Sequence, residues 1–261
     1  MKILLRLLQW VLFSILGLLL IVFLLLALDR DYQSVVLSET DKKSIKARKE
    51  YVPDVDSSLY FSLLSAYGKN KTLAEGFEIQ CLLALSHYPE LKETPMAFLV
   101  QPAFLPLASR PDPISVLFPW IKRKYLVVIS NASADFFEPI LLHNTPFNEQ
   151  IGIIGHELAH TVYYQDKSAL QLAYIAYCYE YDSYFQTDFE READKRAIAH
   201  GLGYQMYDFA FFVRKAFGQS QEEIEAEEGD TYLSPKEISI EMEKYDFYKD
   251  TLDSAYTFFV N

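Results

Sequence analysis

The stretch Ile151-Gly-Ile-Ile-Gly-His156-Glu157-Leu-Ala-His160-Thr-Val162 carries two histidines four residues apart, with a glutamate between them. An α-helix turns about 100° per residue, so His156 and His160 lie within roughly 40° of each other on one face and their imidazoles can share one metal ion. Glu157 projects about 60° to the side of His160, which suits a general base better than an equal third ligand. The opposite face is apolar and predicts a buried helix; it carries Ile151, Ile154, Leu158 and Val162.

A second segment, Asp188-Phe-Glu190-Arg-Glu192-Ala-Asp194, can complete a metal site. A zinc hydrolase site needs a third protein ligand and an open fourth position, and Glu190 can supply a carboxylate oxygen. Asp194 lies one turn further on the same helical face, where it can accept a hydrogen bond from a ligating histidine and so fix its tautomer. Glu192 points nearly opposite to Glu190 and has no such carboxylate partner. We therefore predict Glu190 as the ligand; a solvated, charged helix start is the alternative.

These motifs together resemble those of the gluzincin metallopeptidases, most closely the membrane-associated M48 family. The resemblance rests on His-Glu-Leu-Ala-His at 156–160, on Glu-x-x-x-Asp at 190–194, and on the helix entry from Thr145-Pro146, and it covers roughly residues 96–215. It implies a zincin-like domain that binds Zn²⁺. The implied roles are ligands for His156, His160 and Glu190, the base for Glu157, and a hydrogen-bonding partner of a ligand for Asp194.

One part of the family pattern is missing, because the downstream histidine motif often found in M48 proteins has no counterpart here. The motif therefore does not identify the group that would stabilise a developing oxyanion. Three candidates follow the third-ligand segment closely in sequence and are hypotheses on that ground alone: His200, Tyr204 and Tyr207.

The N-terminus predicts a membrane anchor. Leu7 to Leu28 is apolar apart from Gln9, Ser14 and Gly17, which is long enough to cross a hydrocarbon core of about 30 Å. No good small-x-small cleavage site follows it, so an uncleaved anchor (residues 1–28) is favoured over a signal peptide. Lys2 and Arg6 favour a cytoplasmic N-terminus and an extracytoplasmic domain, although a basic cluster at 42–49 competes.

The rest of the chain is expected to form a juxtamembrane linker (29–53) and one metallopeptidase-like domain (54–261). Its class is α+β, mainly α, with a small sheet. Pro102–Pro119 is predicted to be a loop or an edge crossover, and 221–230 a solvated acidic loop. Predicted helices cover 56–67, 72–87, 146–164, 168–186, 189–200, 204–217 and 234 to about 258, and predicted strands cover 96–100 and 124–130.

Three further expectations concern a possible substrate-binding strand, the other histidines and the cysteines. In gluzincins an edge strand before the metal helix pairs with the substrate backbone, and Tyr125–Asn131 resembles that element in position; an ordinary sheet strand is the alternative. His87 is expected to be a helix-capping charge and His143 a structural residue, both outside the site. Cys81 and Cys178 cannot form a disulfide framework; two unpaired thiols are favoured, and a single bridge between them is the alternative.

Together these features predict a single-pass, membrane-anchored zinc endopeptidase acting on a peptide or protein substrate. A catalytically inactive, membrane-tethered zinc-binding or adaptor protein is the main alternative, and a helical scaffold with an incidental histidine pair is another. The net charge of −12, without a basic stripe, argues against nucleic acid as a partner.

Overall fold

The computed structural model describes residues 2–28, 45–118 and 120–249. In these ranges the chain is mainly helical with a small mixed sheet of four strands, as the α+β expectation requires. The helices are α1 Lys2–Leu28, α2 Ser57–Tyr67, α3 Glu78–Leu85, α4 Pro113–Leu117, α5 Phe147–Gln165, α6 Ala169–Tyr181, α7 Ser183–Ala197, α8 Gly203–Ala216, α9 Gln221–Ala226, α10 Pro235–Met242 and α11 Asp246–Lys249.

The sheet has the strand order β1-β2-β4-β3, with β1 (Lys71–Thr72), β2 (Met96–Gln101) and β4 (Tyr125–Ser130) parallel and β3 (Leu107–Pro111) antiparallel at one edge. The predicted strands at 96–100 and 124–130 are confirmed within a residue. The prediction for Pro102–Pro119 needs correction, because this segment contains β3 and α4. Proline is compatible with β3 because an edge strand need not donate every N–H to a neighbour.

The strand at the edge of the sheet beside the metal helix is β3 and not β4, which was the expected edge strand. β4 lies between β2 and β3, so Tyr125–Asn131 is interior and its ordinary-strand alternative is correct. β3 is the edge strand next to α5, where the Ser109 hydroxyl lies 2.7 Å from that of Thr161. The sequence signal for β3 was weak because prolines flank a run of only five residues.

Helix α5 is the centre of the domain and packs against β3, α3, α7 and α8. Its range agrees with the predicted 146–164, and its apolar face is buried as expected. The sequence Thr145-Pro146 suggests a helix start capped by the Thr145 hydroxyl, but this hydroxyl donates to the Leu141 carbonyl at 3.1 Å and does not cap the helix. Gly152 permits the close approach of α8, because a Cβ there would lie 2.5 Å from the Gln205 carbonyl oxygen.

Two predicted helices are shorter or divided. The tyrosine-rich segment 168–186 breaks at Asp182, whose carboxylate accepts from the N–H groups of Tyr184 and Phe185 at 3.1 Å and so begins α7. The predicted helix at 72–87 begins only at Glu78, because Thr72 belongs to β1 and Gly76 has a φ of 82°.

The C-terminal segment also differs from expectation. The acidic run predicted as a loop contains α9, which is held by a capping box at Ser220 and by the fully buried Ile224. The predicted long final helix ends at Met242, and α11 follows after a short break. The remainder of that prediction, from residue 250 onward, lies outside the described residues.

Helix α1 contains the stretch Arg6–Leu24, the one helical segment of the described chain that is long and apolar enough to cross a membrane. That window is not buried against the protein, although a signal sequence would satisfy the same criteria of length and composition. Near the end of α1, the ring of Phe23 makes edge contacts with Tyr174 and Tyr177 of α6, with ring centroids 5.1 and 5.2 Å apart. The anchor candidate therefore packs directly on the domain.

The expected linker is described only from Ile45 onward, and that part packs on the domain. Ile45 is buried, the Gln205 side chain donates to the Arg48 carbonyl at 2.9 Å, and the Tyr51 N–H donates to Asn148 at 2.9 Å. Residues 45–51 thus bridge α5 and α8. Both cysteines are buried and unpaired, as predicted.

Candidate metal centre

The three predicted ligands come together at one point. The Nε2 atoms of His156 and His160 are 3.0 Å apart, and Glu190 Oε2 lies 2.9 Å from the first and 3.2 Å from the second. All three side chains are buried. Two of them come from adjacent turns of α5 and the third from α7, so the packing of these two helices brings the cluster together.

The donor set and its spacing fit a zinc ion. At a bond length of 2.0–2.1 Å, tetrahedral zinc places its ligand atoms about 3.3 Å apart, close to the three separations found here. A neutral His156 whose Nδ1 donates to a carboxylate presents a lone pair at Nε2. That lone pair would face the carboxylate of Glu190 in a buried site, an unfavourable arrangement that either a proton on Nε2 or a shared cation relieves.

Asp194 lies directly behind His156, as predicted. Its Oδ1 is 2.8 Å from His156 Nδ1, and its Oδ2 accepts the backbone N–H of Leu233 at 2.8 Å. Burial lowers the pKa of His156, but hydrogen bonds to Asp194 and Glu190 outweigh burial and raise it well above the usual value. The carboxylate therefore holds the imidazole in one orientation with Nε2 toward the cluster.

Glu190 is held from a second direction as well. The Tyr179 hydroxyl donates to Glu190 Oε1 at 2.6 Å, which leaves Oε2 for the histidine side. Burial opposes ionisation of Glu190, but the histidines outweigh it and hold the pKa of this carboxyl well below its usual range. Burial and the Glu190 charge raise the pKa of Tyr179, so its hydroxyl stays protonated and remains a donor.

Glu157 lines the same cavity as the cluster and is buried. Burial raises its pKa above the usual value for a glutamate, although the two histidines and the backbone N–H of Ser109 partly offset this. Glu157 therefore faces the cavity and lies near Ser109 of the edge strand β3.

Two further side chains brace the ligand helix and were not anticipated. The Tyr88 hydroxyl donates to the Gly155 carbonyl at 2.6 Å, and the buried Arg196 guanidinium donates to the Ala159 carbonyl at 3.2 Å. Each accepting carbonyl belongs to the residue immediately before a ligand histidine. No local pattern marks either brace, because both join segments far apart in sequence.

The three candidate oxyanion donors lie elsewhere. His200 is fully buried, with Nδ1 donating to the Arg196 carbonyl and Nε2 2.7 Å from Glu90, so both nitrogens are engaged. Tyr204 is buried against Tyr248, and neither it nor Tyr207 is among the described residues that line the cavity. His200 lies within a π-helical turn at 198–202, and both tyrosines follow Gly201 of that turn, which has a φ of 88°.

The residue that lies near the cluster instead is Tyr232, whose ring centroid is 5.8 Å from that of His156. It follows the acidic run and belongs to no motif, so only the three-dimensional packing reveals it. The two remaining histidines are outside the site, as predicted. His87 is not a capping charge, however: burial lowers its pKa to about 4, and its ring bonds to Tyr51.

The cluster opens into a cavity of about 660 Å³. The edge strand β3 forms one wall, and helices α6 and α8 form others. Apart from the cluster, Glu157 and several tyrosines, the lining is mostly apolar; it includes Leu107, Leu172, Ile175, Met206, Phe209 and Val213. A ligand in this cavity would meet polar groups mainly at the cluster and along β3.

These observations give a buried His-His-Glu cluster that can hold a metal ion, in a mainly helical chain with one apolar N-terminal helix. No protein-family model, no curated protein and no solved structure matches this chain.

Proposed function

We propose that this protein is a membrane-anchored, zinc-dependent endopeptidase. The observation that carries the proposal is the convergence of His156, His160 and Glu190 within 3.2 Å of one another, with Glu157 lining the same cavity. Incidental histidines would not account for a third ligand on another helix, nor for the carboxylate of Asp194 behind the first.

The proposed chemistry divides between a metal ion and one carboxylate. Zinc held by His156, His160 and Glu190 would polarise a substrate carbonyl and lower the pKa of a water toward about 7. Glu157 would take a proton from the attacking water on its carboxylate and then return it to the leaving amine. Its burial supports this double role, because a raised pKa brings a carboxyl closer to the pH at which it both accepts and donates protons.

The substrate would bind along β3 as an extended peptide. Among the described residues no strand pairs with the outer edge of β3, whose residues 107–111 line the cavity. Main-chain hydrogen bonds to such an edge hold a peptide with little regard for its side chains. The apolar walls on α6 and α8 would then favour apolar side chains next to the bond that is cut.

The membrane location is supported by the apolar stretch of α1 and by its contact with α6. An N-terminus in the cytoplasm, with the domain outside it, follows from Lys2 and Arg6 and belongs to the proposal.

The test uses the full chain, purified in detergent, as wild type and as two variants. Glu157→Gln removes the proposed base, and Glu222→Gln removes an exposed carboxylate of α9 as a matched control. We expect one zinc per chain in all three proteins, and cleavage of a peptide library that falls by about 10²–10⁴-fold in Glu157→Gln only. Elemental analysis of the purified proteins measures the zinc content, and mass spectrometry of the peptide products measures cleavage.

Each of the other outcomes would favour a different function for this chain or refute one assigned role. Zinc without cleavage by the wild type would indicate the inactive zinc-binding or adaptor protein. A wild type without bound zinc would indicate a scaffold with an incidental histidine pair. Cleavage retained by Glu157→Gln would refute the role assigned to that residue.

A further inference from the structure

The segment before β4 exposes several large apolar side chains. Ile114, Leu117 and Trp120 are 60, 72 and 78% exposed, and Phe118 and Ile121 are also exposed. The rings of Phe118 and Trp120 lie 5.1 Å apart, so the side chains form one patch. We call these five exposed residues, which belong to α4 and to the turn after it, the apolar loop. An apolar patch exposed on a folded domain commonly marks a surface that another partner covers.

The basic residues that follow the apolar loop indicate which kind of partner it contacts. Lys122, Arg123 and Lys124 come directly after it, a run of three basic residues in a chain whose net charge is −12. Apolar and aromatic side chains beside basic ones are the composition of segments that rest in the interface of a bilayer with anionic lipids. Tryptophan in particular is enriched at the level of the lipid headgroups.

The position of the basic run connects it to the anchor candidate. Arg123 donates to the Lys167 carbonyl at 3.4 Å, and Lys167 lies just before the start of α6. The same helix carries Tyr174, which contacts Phe23 of α1. At about 1.5 Å of rise per residue, Tyr174 lies only about 10 Å along α6 from Lys167. Arg123, which follows the apolar loop, and Phe23 of α1 therefore contact the same stretch of chain, residues 167–174.

We propose that the apolar loop is a second membrane-contact site, with its side chains in the bilayer interface and Lys122, Arg123 and Lys124 on anionic headgroups. A domain already tethered by α1 meets the bilayer at high local concentration, so even weak contacts of the loop add to its attachment. The proposal depends on α1 lying in the bilayer, but it does not depend on peptidase activity. Two attachment points would fix the orientation of the domain on the membrane, which a single helix does not.

The chain offers a direct test, because Trp10 and Trp120 are its only tryptophans. In full-length Trp10→Phe all tryptophan emission comes from Trp120, and in Trp120→Phe it comes from Trp10 of α1. Both variants are reconstituted into vesicles of phosphatidylcholine and phosphatidylglycerol, with or without bromine on the acyl chains. Circular dichroism and zinc content check that each variant is folded.

We expect the Trp120 emission to shift to the blue and to lose intensity in brominated lipid, as the Trp10 emission does. Adding Lys122→Glu, Arg123→Glu and Lys124→Glu to the Trp10→Phe chain should reduce this quenching, and phosphatidylcholine alone should give less of it than the mixture does.

Three results would overturn the proposal. The first is Trp120 emission typical of water, without bromine quenching, while Trp10 is quenched. The second is a blue shift without bromine quenching, which would mean that another protein or a second copy of this chain covers the loop. The third is quenching of neither tryptophan, which would remove the anchor on which the proposal rests.

Discussion

The carboxylate of Asp194 gives the sharpest test of the metal centre. In the native protein both of its oxygens are engaged, one with His156 Nδ1 and one with the Leu233 N–H, each at 2.8 Å. Asparagine has the same shape but only one acceptor oxygen. If that oxygen faces His156, the Leu233 N–H meets an amide donor. If it faces Leu233, His156 must give up its Nδ1 proton and carries one on Nε2, the nitrogen proposed to bind the metal.

The size of the effect follows from these two orientations. Loss of a carboxylate behind a ligating histidine reduces metal affinity about 10–100-fold, which corresponds to about 1.4–2.7 kcal/mol. A buried N–H without a partner costs about 1–3 kcal/mol of folding free energy. Asp194→Asn should therefore bind zinc at least about tenfold more weakly, and its metal-free form should also unfold at a lower temperature than the metal-free wild type.

The assay is a competitive zinc titration against a coloured chelator, with the full chain in detergent, followed by thermal unfolding with and without zinc. Glu192→Gln is the matched control, because Glu192 lies on the same helix and pairs with Lys195, not with the cluster. Removing zinc should lower the unfolding temperature of the wild type more than that of Asp194→Asn, since a ligand stabilises in proportion to how tightly it binds. Equal zinc affinities for Asp194→Asn and wild type would refute the role assigned to this carboxylate.

Two further substitutions test the packing and the pH dependence of the domain. Gly152→Ala should destabilise the protein by about 1–3 kcal/mol in chemical denaturation, because the new Cβ meets the Gln205 backbone, whereas Gly155→Ala should cost less because it meets mainly a movable side chain; the reverse order would contradict this. Burial and the nearby Glu149 raise the pKa of Asp208 to about 7, so the folded state favours its protonated form and this contribution to stability is lost as pH rises from about 4 to about 7. Asp208→Asn should thus raise the unfolding temperature more at pH 8 than at pH 5, by an amount equivalent to about 1–3 kcal/mol, and an equal shift at both pH values would speak against it.

The parts of the site that could be read from the sequence are those set by helical periodicity. His156 and His160 lie on one face of α5, and Glu190 and Asp194 on one face of α7, because residues four apart always do so in a helix. These pairs are local, so a single sequence is enough to find them. The first helix was predictable because a long apolar run is a strong signal, and strands β2 and β4 because each is a short apolar run bounded by proline or polar residues.

The parts that could not be read depend on contacts between distant segments. Tyr88 reaches Gly155 across 67 residues and Arg196 reaches Ala159 across 37, and neither residue stands in a pattern. The edge strand β3 was missed because its flanking prolines favour a loop when tertiary pairing is not considered. His200 was misplaced because closeness in sequence does not fix direction: its ring lies in a π-helical turn and faces Glu90. Tyr204 and Tyr207 follow Gly201, whose positive φ changes the chain direction.

The contact between α1 and α6 determines how far the cavity lies from α1. One face of α6 carries Tyr174 against Phe23, while Leu172 and Ile175 of the same helix line the cavity. The cavity is therefore separated from α1 by a single helix, a thickness of about 10 Å. With α1 embedded in a bilayer, the candidate metal centre would lie close to the lipid surface, and a substrate of the proposed peptidase would have to approach that surface, or emerge from it, before it could be cut.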